Sequence, residues 1–238
     1  MTFTLVARCP KSGQIGIGIA TYSICVGLYC NGLRSDAGAT MTQAFVNQNN
    51  NPLALRLLTE GFTPERVLEE LKANDPYFEY RQIAVIDREG NAAGYSGPKT
   101  RGYSGHVVGN GYVSMGNVLA GHHVVEAIAK GYEAHAHETF ERRLLRAIEA
   151  GRDSGGQVGN DGHLTERSAA VVVYGAHDHA DLDLRVDLHD KAVDELRRAF
   201  EEYELYRGYY RDRGKNPRNA IPQGEFVERL AAQKVAAQ

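Results

Sequence analysis

No apolar run in the 238 residues approaches the roughly 20 needed to span a bilayer. The first residues also lack a basic segment leading into a cleavable apolar core. No secretory leader is therefore expected, and the cytoplasm is the expected location. Charge of one sign is missing too: 27 lysines and arginines stand against 30 aspartates and glutamates. The net charge of −3 and pI near 6.3 give nucleic acid or an anionic membrane no electrostatic hold, so neither is expected as a partner. Cysteine is scarce, with only Cys9, Cys25 and Cys30. An odd count without a regular framework argues against a disulfide-built fold, and Cys25 and Cys30 have no second pair to complete a zinc site. None of the nine histidines forms an i, i+4 pair with a third ligand in view, so no metal is expected. The glycine-rich stretches at 16–18 and 109–111 do not open a helix as a nucleotide-binding loop must, and no cofactor is expected. Internal repeats and low-complexity linkers are absent as well.

What is present is an ordinary globular composition, 42% hydrophobic and 24% charged, enough for one large domain or two small ones. Residues 2–8 and 14–22 read as a first hairpin turning at Lys11-Ser12-Gly13. In its second strand Gly16 and Gly18 alternate with Ile15, Ile17 and Ile19, which leaves one face bare for another segment to approach. A third strand is predicted over 37–46 after a loop over 27–36. Leu53, Leu57 and Leu58 mark a helix ending at Gly61, and Thr63-Pro64 opens the next with an N-cap and a first-turn proline. Hairpins are predicted around Arg88–Asn91 and Gly109–Gly111, followed by helices over 121–132 and 137–150. Residues 153–167 read as a surface loop, 168–174 and 182–188 as the last strands, and 193 onward as helix.

Strands clustered in hairpins imply mainly antiparallel pairing, and helix pairs arrive between the clusters. The expected fold class is α+β, a four-layer α-β-β-α sandwich of mainly antiparallel sheets. The expected division is a domain over 1–205 and an Arg- and Tyr-rich extension over 206–238 that packs on the domain or a neighbouring subunit.

Thr2 heads the first strand. A threonine hydroxyl needs a base to become a nucleophile. An α-amine, with a pKa of about 8, can be that base. If Met1 is removed, Thr2 carries both groups. The bland alternative is that threonine is a common second residue and suits a strand.

The surrounding pattern resembles the N-terminal-nucleophile (Ntn) hydrolases: a threonine heading strand 1, a short turn, a glycine-rich strand 2, then helix pairs. More closely it is similar to a prokaryotic family within that superfamily, domain-of-unknown-function family 1028. The resemblance runs in order through MTFTLVAR (1–8), GQIGIGIATYSICVG (13–27), AGATMTQAFVN (37–47), RQIAVIDREGNAAGYSG (81–97), SMGNVLAG (114–121), ERSAAVVVY (166–174) and DLRVDLH (183–189). It implies Thr2 as nucleophile. Arg34, about 32 residues on, falls near the position where related peptidases place a lysine. An arginine there supplies charge but no base. Asn117, a candidate substrate contact, lies where the family carries a Gly-Asn pair, and Met115 stands where it often has glutamine; the alternative for SMGN is a turn before a helix with Asn117 as its cap.

Thr21 and Ser23, at the end of strand 2, are candidate substrate contacts. So are Gln43 and Asn47, which flank Phe45 and share its face on a continuous strand. Each of these has a structural alternative in strand-end polarity or backbone satisfaction. The resemblance implies an amidohydrolase for a small amide, ureide, lactam or short peptide, assembled as a homo-oligomer. The rival expectation is an Ntn-like scaffold that binds a ligand or partner and catalyses nothing. A third uses the thiol of Cys25 or Cys30.

Overall fold

The chain begins inside its larger sheet. In the computed structural model, which describes residues 1–236, β1 (Thr2–Arg8) pairs with β2 (Ile15–Thr21) from Phe3↔Ala20 to Arg8↔Ile15. A short helical turn, α1 (Val26–Tyr29), leads to β3 (Asn31–Arg34) and β4 (Gly38–Ala44). The helices α2 (Asn50–Thr59) and α3 (Pro64–Asn74) follow. Thr63 caps α3 as expected, its hydroxyl accepting from Arg66 N at 3.3 Å. Next come β5 (Arg81–Asp87), β6 (Ala92–Ser96), β7 (Tyr103–Gly109) and β8 (Tyr112–Leu119). After the helices α4 (His122–Ala134) and α5 (Phe140–Asp153), the expected loop over 153–167 contains two three-residue strands, β9 (Gln157–Gly159) and β10 (Gly162–Leu164). The last strands are β11 (Ser168–Tyr174) and β12 (Ala180–Val186), and the helices α6 (Ala192–Lys215) and α7 (Gln223–Ala236) close the chain.

Pairing is antiparallel throughout the two sheets. The larger runs β10-β9-β8-β1-β2-β11-β12, with β7 also on β8; the smaller runs β3-β4-β5-β6. β12 ends the larger sheet on one side, with Asp183 and Arg185 exposed and ion-paired at 2.7 Å. The strand predicted over 37–46 stops at Ala44, and β3 lies in the expected loop over 27–36.

Alternation decides what each face does. Val6, Ile17, Ile19, Met41, Ala84, Ile86, Met115 and Val172, drawn from both sheets, form one buried cluster. On the opposite face of β2 a Cβ at Gly18 would meet Leu144 O and Ile148 Cγ1 at 2.8 Å. The bare face foreseen at Gly16 and Gly18 therefore admits helix α5. The other helix pair, α2 and α3, packs on β5 through Leu55, Leu58, Val67, Leu71, Ile83 and Val85.

Asp75 anchors that second pair. It caps α3 and accepts from Arg81 Nε (2.8 Å), Asn47 Nδ2 (3.1 Å), Asn50 Nδ2 (3.2 Å) and Tyr77 N (3.0 Å). Burial alone would raise its pKa; the bonds from Arg81 and the others outweigh that and hold it well below the usual carboxylate range. A depressed pKa contributes stability that is complete above the unfolded value of about 3.9 and lost as pH falls through the folded one. Asp75→Asn should lower neutral-pH stability by about 2 kcal/mol. It should also flatten the acid limb of melting temperature against pH, which thermal unfolding across that limb measures.

The chain divides into two compact units, Met1–Leu196 and Arg197–Gln238. The expected boundary after residue 205 falls within α6, which continues to Lys215. In the second unit Tyr206, Tyr209 and Tyr210 gather with Phe226, the Tyr209 and Phe226 rings stacking at 4.3 Å. Among the described residues no helix is long and apolar enough to cross a membrane.

Candidate active site

Five strands carry an inward stripe that runs from apolar side chains to polar ones, with the polar residues at the same end. On β1 the stripe reads Val6, Thr4, Thr2; on β2 it reads Ile17, Ile19, Thr21. On β4, β5 and β8 it ends at Gln43, Gln82 and Asn117. All six polar side chains are buried, Thr2 at 6% exposure. Buried polar groups must bond one another, and these do. Thr4 Oγ1 donates to Gln43 Oε1 at 2.7 Å. Gln43 Nε2 donates to Gln82 Oε1 at 2.7 Å and to the Thr2 carbonyl at 3.4 Å. Asn117 Nδ2 donates to Gln82 Oε1 at 3.1 Å. Gln82 Nε2 reaches Gly116 O (2.8 Å), Gly105 O (3.0 Å) and Ser96 Oγ (2.8 Å). Ser96 Oγ in turn meets His106 Nδ1 at 2.9 Å, and burial lowers the pKa of that histidine. The network thus ties the main chain of Thr2 to both sheets.

Thr2 and Thr21 are cross-strand neighbours with hydroxyls 3.3 Å apart, and both donate to the Met1 carbonyl, Thr2 at 2.6 Å. Met1 lines a cleft of about 510 Å³ with Phe45, Arg101, Asn117, Val118 and residues of the β9–β10 hairpin. Two of its lining residues, Ala44 (φ 70°) and Val118 (φ 57°), are left-handed without being glycine. Val118 is the extra residue of a bulge, since Ser104 faces Asn117 and Tyr103 faces Leu119. A β-branched residue in that region is a true outlier, and strain of about 1–3 kcal/mol per residue persists only where the surroundings impose it, often at functional sites. The Met1 amine has its pKa lowered, chiefly by burial, with nearby Arg101 lowering it further and Cys30 opposing.

The structure therefore brings Thr2, Thr21, Gln43 and Asn117 together. Asn47 does not join them: the left-handed Ala44 ends the strand, and Asn47 turns to Asn50 and Asp75. Phe45 lies on the cleft while Gln43 points inward, so the expected common face of the three does not form. Ser23 is exposed; its main-chain N and O are the bonded groups, to Thr21 Oγ1 and from Ser168 Oγ. Arg34 is not at the site. It pairs with Gly38 at the far end of β4, roughly 16 Å along the strand from Gln43, and bonds Asp36 at 2.6 Å on the surface. Arg34→Ala should change stability by less than about 0.5 kcal/mol and leave chemistry at Thr2 untouched, as unfolding curves and labelling of Thr2 would show. The cation beside the amine is Arg101. Of the thiols, Cys30 is buried and pushed up to about 12, which suppresses the thiolate a nucleophile needs.

A family profile described as "Family of unknown function (DUF1028)" matches residues 2–196. The chain belongs to this family. The DUF1028 match ends at the last residue of the first compact unit, so the network and cleft lie wholly within it. A crystal structure of a Silicibacter pomeroyi protein of the DUF1028 family is similar over 84% of this chain and 88% of that one, at 29% identity and a TM-score of 0.77. Anbu (ancestral beta-subunit) from Yersinia bercovieri aligns over 85% of this chain and 95% of its own, but at 12% identity and a TM-score of 0.38, too slight a likeness to argue from. No curated protein matches the chain.

Proposed function

We propose that this DUF1028 chain is an amidohydrolase of the N-terminal-nucleophile type, its first unit layered as an α-β-β-α sandwich. With Met1 removed, Thr2 Oγ1 attacks an amide-type carbonyl in the cleft while the Thr2 α-amine takes the hydroxyl proton. Arg101, in place of Arg34, supplies positive charge. Asn117 gives one N–H to Gln82 and keeps its second for the developing oxyanion. Collapse breaks the C–N bond, and the proton passes from the amine to the leaving nitrogen. Water then cleaves the Thr2 ester by the same steps in reverse.

One observation carries this reading: a buried threonine heads a central strand directly after Met1, which lines the cleft and whose own amine has its pKa lowered by burial there. Burial disfavours the charged form of an amine, and the proposed Thr2 amine would form one residue further along the same chain end. The test is intact mass of the protein from its native cells, followed by a neutral β-lactone that acylates N-terminal hydroxyls. A mass short by one methionine and an acyl group on the peptide starting at Thr2 support the proposal. Quantitative retention of Met1 overturns it. The Thr2 nitrogen would then remain an amide, its hydroxyl would stay on the Met1 carbonyl, and the non-catalytic scaffold would be the better reading.

A further inference from the structure

Arginines in the first unit are commonly paired with a carboxylate: Arg34 with Asp36, Arg81 with Asp75, Arg146 with Glu138. Arg101, Arg143 and Arg167 instead lie over aromatic rings with no ion pair to a described carboxylate, and of these three Arg101 alone lines the cleft. Its guanidinium lies over the Phe45 ring, 5.2 Å from the centroid. A stacked guanidinium is held in plane while its edge N–H groups stay free, the arrangement that suits a planar two-oxygen anion. The platform is itself braced: Tyr80 meets the Phe45 ring edge-on at 5.6 Å, and Arg81 Nη1 donates to the Phe45 carbonyl at 2.7 Å.

Among the side chains of the described residues lining the cleft, Arg101 alone is basic, and Asp161 on the β9–β10 turn alone is acidic. The one guanidinium can hold one carboxylate, and the negative charge of Asp161 in the same cleft disfavours a dianion such as a phosphate ester. Phe45, Val118, Val158 and Leu164 give the same cleft apolar wall. Arg101 also acts on the Met1 amine, which puts its charge beside the end of the chain where the reaction would occur.

We infer that Arg101 is the carboxylate receptor of this cleft, and that the substrate is a small amide carrying one carboxylate next to the bond to be cut, as in an N-acyl amino acid. This rests on the reading of Thr2 for the chemistry, but the binding claim can be tested apart from it. The experiment uses the full chain with Thr2→Ala, so that nothing turns over, and matched pairs that differ only in charge. N-acetyl-L-leucine against N-acetyl-L-leucinamide is one pair; the N-acetyl-alanine, N-acetyl-phenylalanine and N-formyl-leucine pairs complete the panel. Binding is read by NMR titration.

The acid of at least one pair should bind about tenfold or more tightly than its amide. Arg101→Gln should abolish the preference, and Arg101→Lys should keep only part of it, because an ammonium lacks the fork. Equal binding within every pair, a preference that survives Arg101→Gln, or no binding by any acid overturns the inference. Acylation of Thr2 by the neutral β-lactone reports separately on the nucleophile. A chain that prefers acids through Arg101 but resists the lactone would keep the receptor and lose the hydrolase.

Discussion

Replacing Thr2 by alanine should abolish acylation by the β-lactone and reduce amide hydrolysis at least about a thousandfold, with the fold intact. The hydroxyl is the only group at the head of β1 placed to be acylated with its own amine as base. Structurally it does little: its bonds are to the Met1 carbonyl and the neighbouring Thr21 hydroxyl. The Gln43 bond that fixes the residue falls on the main-chain oxygen and survives the substitution. Melting should therefore shift by no more than about 1 kcal/mol in stability. The pH dependence supplies a second check. The base must be neutral, so kcat/KM in the wild type should fall as pH drops through the pKa of the Thr2 amine, an α-amine with an ordinary value of about 8. Thr2→Ser should retain part of the rate. Full activity in Thr2→Ala would remove this mechanism.

Gln82→Leu should be the costliest substitution for stability, about 3 kcal/mol, and should disturb Thr2 from the opposite sheet. The two residues are close in volume, so packing changes little. What changes is polarity. Gln43 Nε2 loses its short bond, Asn117 Nδ2 loses its acceptor, and the carbonyls of Gly105 and Gly116 lose their donor. Each buried group left bare costs about 1–3 kcal/mol, partly recovered by relaxation. For a chain of this size the melting temperature should drop by roughly 6–12 °C. Removing both partners of a bond costs less than removing one. Gln43→Leu with Gln82→Leu should therefore fall short of the sum of the single effects, a non-additivity that a double-mutant cycle would detect.

How much of this was legible follows from where local pattern and tertiary context agree. The first hairpin was, because the Ile15–Ile19 alternation, the turn at Lys11–Gly13 and the bare glycine face all point one way. The cap at Thr63 was, because its chemistry is local. The polar end of the interior was only half read. Thr2, Thr21, Gln43 and Asn117 stood out one by one, but Gln82 passed as an ordinary strand residue. Its signal was there: in QIAVID the positions 82, 84 and 86 face inward, and the first is polar.

Three misplacements have one cause, that partners far along the chain decide them. SMGNVL looks like a turn, with glycine and asparagine in it, yet pairing with β1 and β7 makes it strand and carries Asn117 to Thr2. Arg34 was chosen by its separation from Thr2 along the chain, whereas the β3–β4 register sends it to the opposite end. Nothing in an alanine announces the left-handed bend at Ala44 that parts Asn47 from Gln43. The β9–β10 hairpin lies in the stretch that reads as a surface loop, Arg101 lies in one without a motif, and only the folded chain shows that both line one cleft.

The outer edge of β12 bears on how copies of this chain could meet. An open strand edge offers unpaired main-chain groups to any neighbour, and two such edges can zip into a continuous sheet between molecules. On β12 the exposed Asp183 and Arg185 alternate with apolar residues, and Asp187 follows just beyond the strand. An incoming strand would have to accommodate those charges, which opposes runaway polymerisation along that edge. Were copies to associate, contacts through side chains, which can close on a defined number of subunits, would be favoured over pairing along this edge.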